Sequence, residues 1–361
     1  MRIKYGSYGI TALGSSAAAG VAGYFGGGLD NSSNYISGID KITFPADTKT
    51  TLSATLTTAR QTLAGMANSG VAGYFGGGSD GANISSIDKV AFPADTKTTL
   101  SATLTTILQQ ATGMADSGVA GYFGGGANGP LIIGIDKITF PADTKTTLSA
   151  TLTSARRIFA GMANSGVAGY FGGGLTGAGN TDGIDKITFP ADTKTTLSAV
   201  LTTARNALSG MANSGVAGYF GGGDAPSDNI DKITFPADTK TTLSAVLTSN
   251  IATSAAMANS GTAGYFGGGQ NSGTSTDRVD KIAFPADTKT TLSAVLTIAR
   301  ELTSGMANSG VAGYFGGGND GATNISSIDK ITFPADTRTV LSATLTSARY
   351  GLAGMADGGV V

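Results

Sequence analysis

Any chemistry in this chain must come from carboxylates, amines, hydroxyls and backbone, because its 361 residues include no His and no Cys. A nucleophile–base pair built on imidazole or thiol is therefore excluded. Zinc and copper sites that rely on those ligands are excluded with it. Paired carboxylates could hydrolyse a glycosidic bond, and Asp40, Asp88 and Asp136 are acidic candidates. Those aspartates recur in every copy of a repeat, however, which reads as a structural role, a turn or an Asp–Lys surface pair. The repeated Gly-Gly-Gly offers N–H groups of the kind that cradle phosphate, yet neither a Gly-Lys-Ser/Thr nor a helix pattern follows it. It reads as a strand end. A Ca²⁺ site needs several clustered oxygens, and Asp224–Asn229 offers only a few. The expectation is a protein that is not an enzyme, with no metal and no cofactor.

The elements that must position these groups are set by the repeat. Gly-Tyr-Phe-Gly-Gly-Gly starts at Gly23, Gly73, Gly121, Gly169, Gly218, Gly264 and Gly313, in units of 46 to 50 residues. Each unit is too small to bury a core alone, so the copies must stack on one another. In the second unit four strand-like pieces appear: a, Leu63–Ala67; b, Val71–Phe75; c, Ile87–Phe92; d, Thr99–Leu104. In d, Leu100, Ala102 and Leu104 alternate with Ser101 and Thr103, the period of a strand. Asn68-Ser69-Gly70 reads as a hairpin turn. Pro93 opens a turn that Asp95 and Thr96 can close. Four antiparallel strands in about 50 residues describe a propeller blade. The expected fold is all-β, a seven-bladed β-propeller of four-stranded antiparallel blades.

The unit resembles the kelch repeat. Ala59-Arg60, Gly73-Tyr74-Phe75-Gly76-Gly77 and Ile87-Asp88-Lys89-Val90-Ala91-Phe92-Pro93 occupy the family's positions. Phe92 stands where Tyr is usual. The family Trp has no counterpart, and Leu100 is expected to fill that space between blades. The resemblance implies the propeller and no particular activity. The kelch-like oxidase with a copper–tyrosyl centre is not a model, for want of ligands.

The chain ends with Tyr350-Gly-Leu-Ala-Gly-Met-Ala-Asp-Gly-Gly, an eighth copy of strand a. It is expected to pair with Val21–Phe25 and close the first blade. Residues 20–361 then form the propeller. Residues 1–19 read either as an N-terminal arm or as a degenerate strand a; they resemble a signal peptide only faintly, their middle being too polar.

The copies differ in two places. Between the Gly triplet and strand c lie Leu29–Gly38, Ser79–Ser86, Ala127–Gly134, Leu175–Gly183, Asp224–Asn229, Gln270–Arg278 and Asn319–Ser327, of 10, 8, 8, 9, 6, 9 and 9 residues. The d–a stretch varies too: Arg60-Gln-Thr-Leu, Leu108-Gln-Gln-Ala, Arg156-Arg-Ile-Phe, Arg205-Asn-Ala-Leu, Ile251-Ala-Thr-Ser, Arg300-Glu-Leu-Thr and Arg349-Tyr-Gly-Leu. The a–b and c–d turns barely change. In an antiparallel blade alternate turns share an end, so one end of the molecule is variable and the other constant. Asp47 and Lys49 on the constant end read as a solvated rim or as a docking ring. Candidate ligand-binding residues on the variable end are Asn34, Tyr35, Asp80, Asn83, Asn128, Leu131, Arg157, Phe159, Asn180, Asp182, Asp224, Asp228, Asn271, Arg278, Asp320, Asn324 and Tyr350. Adaptable polar side chains around a few aromatic or Arg anchors suit recognition.

A net charge of −1 with 13% charged residues argues against a phosphate grip on nucleic acid and against a polybasic membrane anchor. No apolar run approaches the ~20 residues of a membrane helix. The expected partner is a cell-surface glycan or protein. The repeat array is also similar to the kelch-like repeats of bacteriophage virion proteins, especially tail fibres. That resemblance implies a receptor-binding role in a virion or outside the cell, with the constant end or the N-terminal arm toward other tail proteins. A structural scaffold, in a virion or the cytoplasm, is the alternative.

Overall fold

The computed structural model describes residues 22–106, 108–224 and 227–358, and their regular elements are all β-strands. In the second unit the strands are Ala64–Asn68, Ala72–Gly76, Ile87–Ala91 and Lys97–Thr99, antiparallel and paired in that order. The described residues form seven such four-stranded sheets and three small ones of two or three strands. In the first sheet, Ala22–Gly26, Ile39–Thr43 and Lys49–Thr51 are joined by Ala353–Ala356, which pairs with Ala22–Gly26 in the register Gly23↔Ala356. Residues 1–19, read as arm or strand, lie outside the described residues.

Strands a, b and c fall within a residue of expectation. Strand d does not: it covers Lys97–Thr99 and stops before Leu100. Leu100 N still donates to Ile87 O at 2.9 Å, and Leu104 N to Ser85 O at 2.8 Å, so Ser101–Thr103 leave the ladder between two bonds. The alternation of Leu100 and Leu104 serves the neighbouring sheet instead. Both are buried in a cluster with Phe123, Ile138 and Phe140 of the third sheet, the space expected for Leu100.

The Gly-Tyr-Phe-Gly-Gly-Gly string is the device that joins sheets. A Cβ at Gly73 would lie 2.1 Å from Met355 Sδ of the first sheet. Tyr74 stacks on Phe140 of the third sheet with centroids 5.0 Å apart, an arrangement worth about 0.5–1.5 kcal/mol beyond burial. A Cβ at Gly76 would meet the Phe123 ring at 2.5 Å. Gly77 and Gly78 then turn the chain at φ +66° and +104°, where a side chain would be strained. Equivalent Tyr–Phe stacks join every sheet to the next, and Tyr314 stacks on Phe44 of the first. Strands a also touch in succession, with Ala353–Ala356 between Ser304–Asn308 and Ala64–Asn68. They can do so because they are built from small residues: a Cβ at Gly113 would lie 2.8 Å from Gly65 O.

Candidate recognition surface

The constant end owes its uniformity to bonds between sheets. In the c–d turn Asp95 takes φ +58°, a left-handed conformation that aspartate tolerates better than most side chains. Its carboxylate then reaches the preceding sheet, accepting from Tyr24 Oη at 2.8 Å and Lys41 Nζ at 2.7 Å. The same triad recurs to Tyr314 and Lys330 on Asp47. Asp47 is thus committed inside the fold and is no free rim. Burial, then the hydrogen bond and charge of Asp95, push the Tyr24 hydroxyl far above its ordinary value, so it remains a donor. The a–b turns are linked as well: Asn68 Oδ1 accepts from Gly118 N at 2.8 Å, and Asn164 Oδ1 from Gly215 N at 2.9 Å.

The recurrent strand-c aspartates are not surface pairs. Asp88 is fully buried and ion-paired with Arg60 at 2.8 Å, both side chains 0% exposed. It also accepts from Thr57 N at 3.0 Å, Thr57 Oγ1 at 2.7 Å and Thr99 Oγ1 at 2.9 Å, with Lys97 at 3.0 Å. Burial pushes this carboxyl up, but the Thr57 bonds and the Arg60 charge outweigh it and hold it below the usual range. Arg156, Arg205, Arg300 and Arg349 make the same pair with Asp185, Asp231, Asp329 and Asp40. Lys49, the other residue of the expected rim, lies 3.1 Å from Asp40.

At the variable end the structure brings the two variable stretches of each unit together. Gln61 bridges Ser79, Gln109 bridges Ala127, Asn206 bridges Asp224, Ala252 bridges Gln270 and Glu301 bridges Asn319. Arg157 pairs with Leu175, and Tyr350 with Leu29. The d–a stretches are themselves joined by backbone bonds. Thr62 N donates to Gly351 O at 2.8 Å, Gln110 N to Thr62 O at 3.1 Å and Ile158 N to Gln110 O at 3.3 Å. Ala207, Thr253 and Leu302 continue the series. Six of these seven positions hold non-glycine residues at φ +52° to +57°.

The candidate residues spread around this end. Asn83 Nδ2 donates to Asn128 Oδ1 at 3.3 Å and to Ala127 O at 3.0 Å, tying two neighbouring loops. Asn206 Nδ2 donates to Asn180 Oδ1 at 2.7 Å, and Asn180 Nδ2 to Asp224 O at 3.4 Å. Asn324, buried, donates to Leu29 O at 2.9 Å. Tyr35 lies beside Gly81 of the next loop. Asp80 and Asp320 close their own loops by accepting from Ala82 N and Ala322 N. Asn34 N donates to Asp30 Oδ1 at 2.8 Å and closes the first loop. Arg157 donates to Gln110 at 3.1 Å. Asp182 and Asp228 are half-buried, their carbonyls accepting from Leu201 N and Leu247 N. Asn271 and Arg278 are exposed, and Leu131 and Tyr350 half-buried. Phe159 is 6% exposed and stands edge-on to Phe171, so it belongs to the core.

Two of these residues, Asp224 and Asn271, meet in a depression of about 350 Å³. Its lining mixes the apolar Ile158, Ala207 and Leu302 with the amides Gln110, Asn206 and Gln270. Sequence reasoning passed over most of these. All but Gln270, which opens a b–c loop, sit one or two positions after the arginine site of the d–a stretch, and that fixed offset is the signal that would have found them. Among the described residues no group of three or more acidic side chains is placed to hold a metal. No described helix is long and apolar enough to cross a membrane.

No protein-family model matches the chain, and no curated protein sequence matches it. The fold is similar to that of a solved structure titled "Structure of YjhT", at a TM-score of 0.62 and 15% identity, over 78% of this chain and 97% of that one. With the four-stranded antiparallel sheets, this likeness gives an all-β, propeller-type fold.

Proposed function

We propose that the chain is a seven-bladed, kelch-like β-propeller closed by its terminal strands, and that it works as a non-enzymatic recognition module. The reading we favour is a bacteriophage tail-fibre or other virion protein whose variable end binds a cell-surface glycan or protein. The seven four-stranded sheets and the pairing of Ala353–Ala356 with Ala22–Gly26 support the closed ring. The observation that carries the functional reading is the bridging of each b–c loop to the d–a stretch of its own unit. The two stretches that vary most between the copies are thereby brought together. A lining that mixes apolar side chains with amides is suited to a polar ligand with apolar edges, such as a sugar.

The test is to replace all seven b–c loops with copies of the nine-residue Leu175–Gly183. Circular dichroism should be unchanged, while binding to host cells or a glycan array should vanish. Binding that survives the exchange overturns the recognition reading and favours a scaffold, in a virion or in the cytoplasm.

A further inference from the structure

The third sheet contains a guanidinium slot that lacks its arginine. The complete slot is seen at Arg156. Its Nη2 donates to Asp185 Oδ2 at 2.8 Å and Phe171 O at 3.1 Å, and its Nη1 to Gly183 O at 3.1 Å. The corresponding acceptors in the preceding unit are Asp136, Phe123 and Gly134, the same three residue types at the same positions. The arginine position is Leu108, which has no donor to offer them.

The consequences are visible in charge and in space. Asp185 faces two cations, Arg156 at 2.8 Å and Lys194 at 3.2 Å. Asp136 faces Lys145 at 3.3 Å, the one cation paired with it among the described residues. Thr105 and Thr147 still donate to Asp136 at 2.7 Å. A cavity of about 260 Å³ lies there, walled by Leu108, Leu131, Ile132, Ile133, Gly134 and Asp136. The Asp136 side chain is 6% exposed, against 1% for Asp185. Ile133 is exposed at 41%, which places the mouth at the Ala127–Gly134 loop. In the sixth sheet Ile251 occupies the arginine position, buried as Leu108 is, but there Asp280 stays 1% exposed.

We infer that this cavity binds a monoalkylguanidinium cation, the head group of an arginine side chain. The planar fork would bridge Asp136 Oδ2 and Gly134 O, which both line the cavity, as Arg156 bridges their counterparts, and the alkyl stem would leave along Leu131 and Ile133. A guanidinium suits the site better than an ammonium, because the Asp136 carboxylate and Gly134 O stand where their counterparts hold a flat, multi-donor group. The inference does not depend on the recognition reading of the loops.

The experiment follows the backbone amides of Leu131 and Gly134 by NMR while the intact protein is titrated with methylguanidinium, with a blocked Gly-Arg-Gly peptide, and with neutral, similarly shaped urea. Saturable shifts with methylguanidinium and none with urea are expected. An equal response to the peptide identifies an arginine on a polypeptide as the ligand; a response to methylguanidinium alone identifies a free small molecule. Leu108→Arg, which copies a residue five other units already hold, should fill the cavity and abolish the response. Asp136→Asn should abolish it too, and serves if the first variant fails to fold. No response to either cation, shifts equal to those with urea, or a response retained in Leu108→Arg overturns the inference.

Discussion

Asp231 and Arg205 form one of the buried pairs, and removing one should cost far more than removing the other. Both are 0% exposed and 3.0 Å apart. Asp231→Asn leaves the Arg205 guanidinium in the interior with Phe220 O at 3.2 Å and Thr203 Oγ1 at 3.3 Å as its partners. A charge stranded in this way typically costs about 3–5 kcal/mol. Arg205→Leu strands no charge, although Phe220 O loses the arginine donor. The carboxylate keeps Thr202 N at 3.0 Å, Thr202 Oγ1 at 2.6 Å, Thr242 Oγ1 at 2.9 Å and Lys240 at 3.2 Å. The lost charge-assisted bond is worth about 1.5–3 kcal/mol. Burying a leucine side chain returns a similar amount, about 1.5–3 kcal/mol. The expected net change for Arg205→Leu is therefore within about 1.5 kcal/mol, in line with the leucine at 108 and isoleucine at 251 that the chain itself uses. Urea unfolding followed by circular dichroism gives both numbers, provided the slope is the same in all three proteins. If Arg205→Leu destabilises as much as Asp231→Asn, the aspartate is not the hub of the cluster and the reasoning fails.

Four other outcomes follow from the structure. Tyr74→Phe removes the 2.8 Å bond to the Asp143 carboxylate, which Lys89 still holds at 2.7 Å, so the loss in urea unfolding should be about 1.5–3 kcal/mol, the range of a bond to a charged group. Gly73→Ala places a methyl 2.1 Å from Met355 Sδ and should cost about 1–3 kcal/mol, part of it restored by Met355→Ala in a double-mutant cycle. Gly70→Ala, where no atom lies within 4 Å but φ is +71°, should lose about 1–2 kcal/mol through backbone strain alone, and Met355→Ala should restore none of it. Asp40, Asp88, Asp185 and Asp231 are held below the usual carboxylate range, burial being outweighed by hydrogen bonds and arginine charge. Their contribution is complete above the unfolded-state value of about 3.9 and is lost as pH falls through the folded-state values. The melting temperature should stay flat from neutral pH to about 4 and drop below it; a decline that begins near neutrality would contradict this assignment.

The repeat made three of the four strands legible, because a–b and b–c are hairpins whose turns and β-branched or aromatic runs are local. Strand d misled because Leu100 and Leu104 carry the alternation of a strand while their burial comes from Phe123 and Phe140 in the next sheet. Nothing within one unit reports that. Asp88 misled for a related reason. Beside Lys89 in sequence it looks like a surface pair, yet Lys89 bonds Asp143 of the third sheet and Asp88 bonds Arg60, 28 residues back. In a stack of small units the informative contacts are one repeat away. The collection of both variable stretches at one end followed from strand direction alone. Which residues line the depression did not, because polarity picked out loop tips such as Asn34 and Arg278, whereas the lining is set by the bonded d–a stretches.

The contrast between the two ends has a physical origin that bears on how far the loops can change. At the constant end the joints are made by side chains: Asp95 needs Tyr24 and Lys41, and Asn68 caps the next turn at Gly118. A substitution there breaks a bond in its own sheet and strands a partner in another. At the variable end the joints are mostly made by backbone atoms, as between Gln61 and Ser79 or Gln109 and Ala127, where N–H and C=O groups pair whatever the side chains are. Side-chain identity at that end is thereby released from the requirements of folding. The loop exchange should accordingly leave the fold intact. On the recognition reading proposed above, Asn271 and Arg278, both exposed, can change to suit a new ligand without disturbing any joint between sheets.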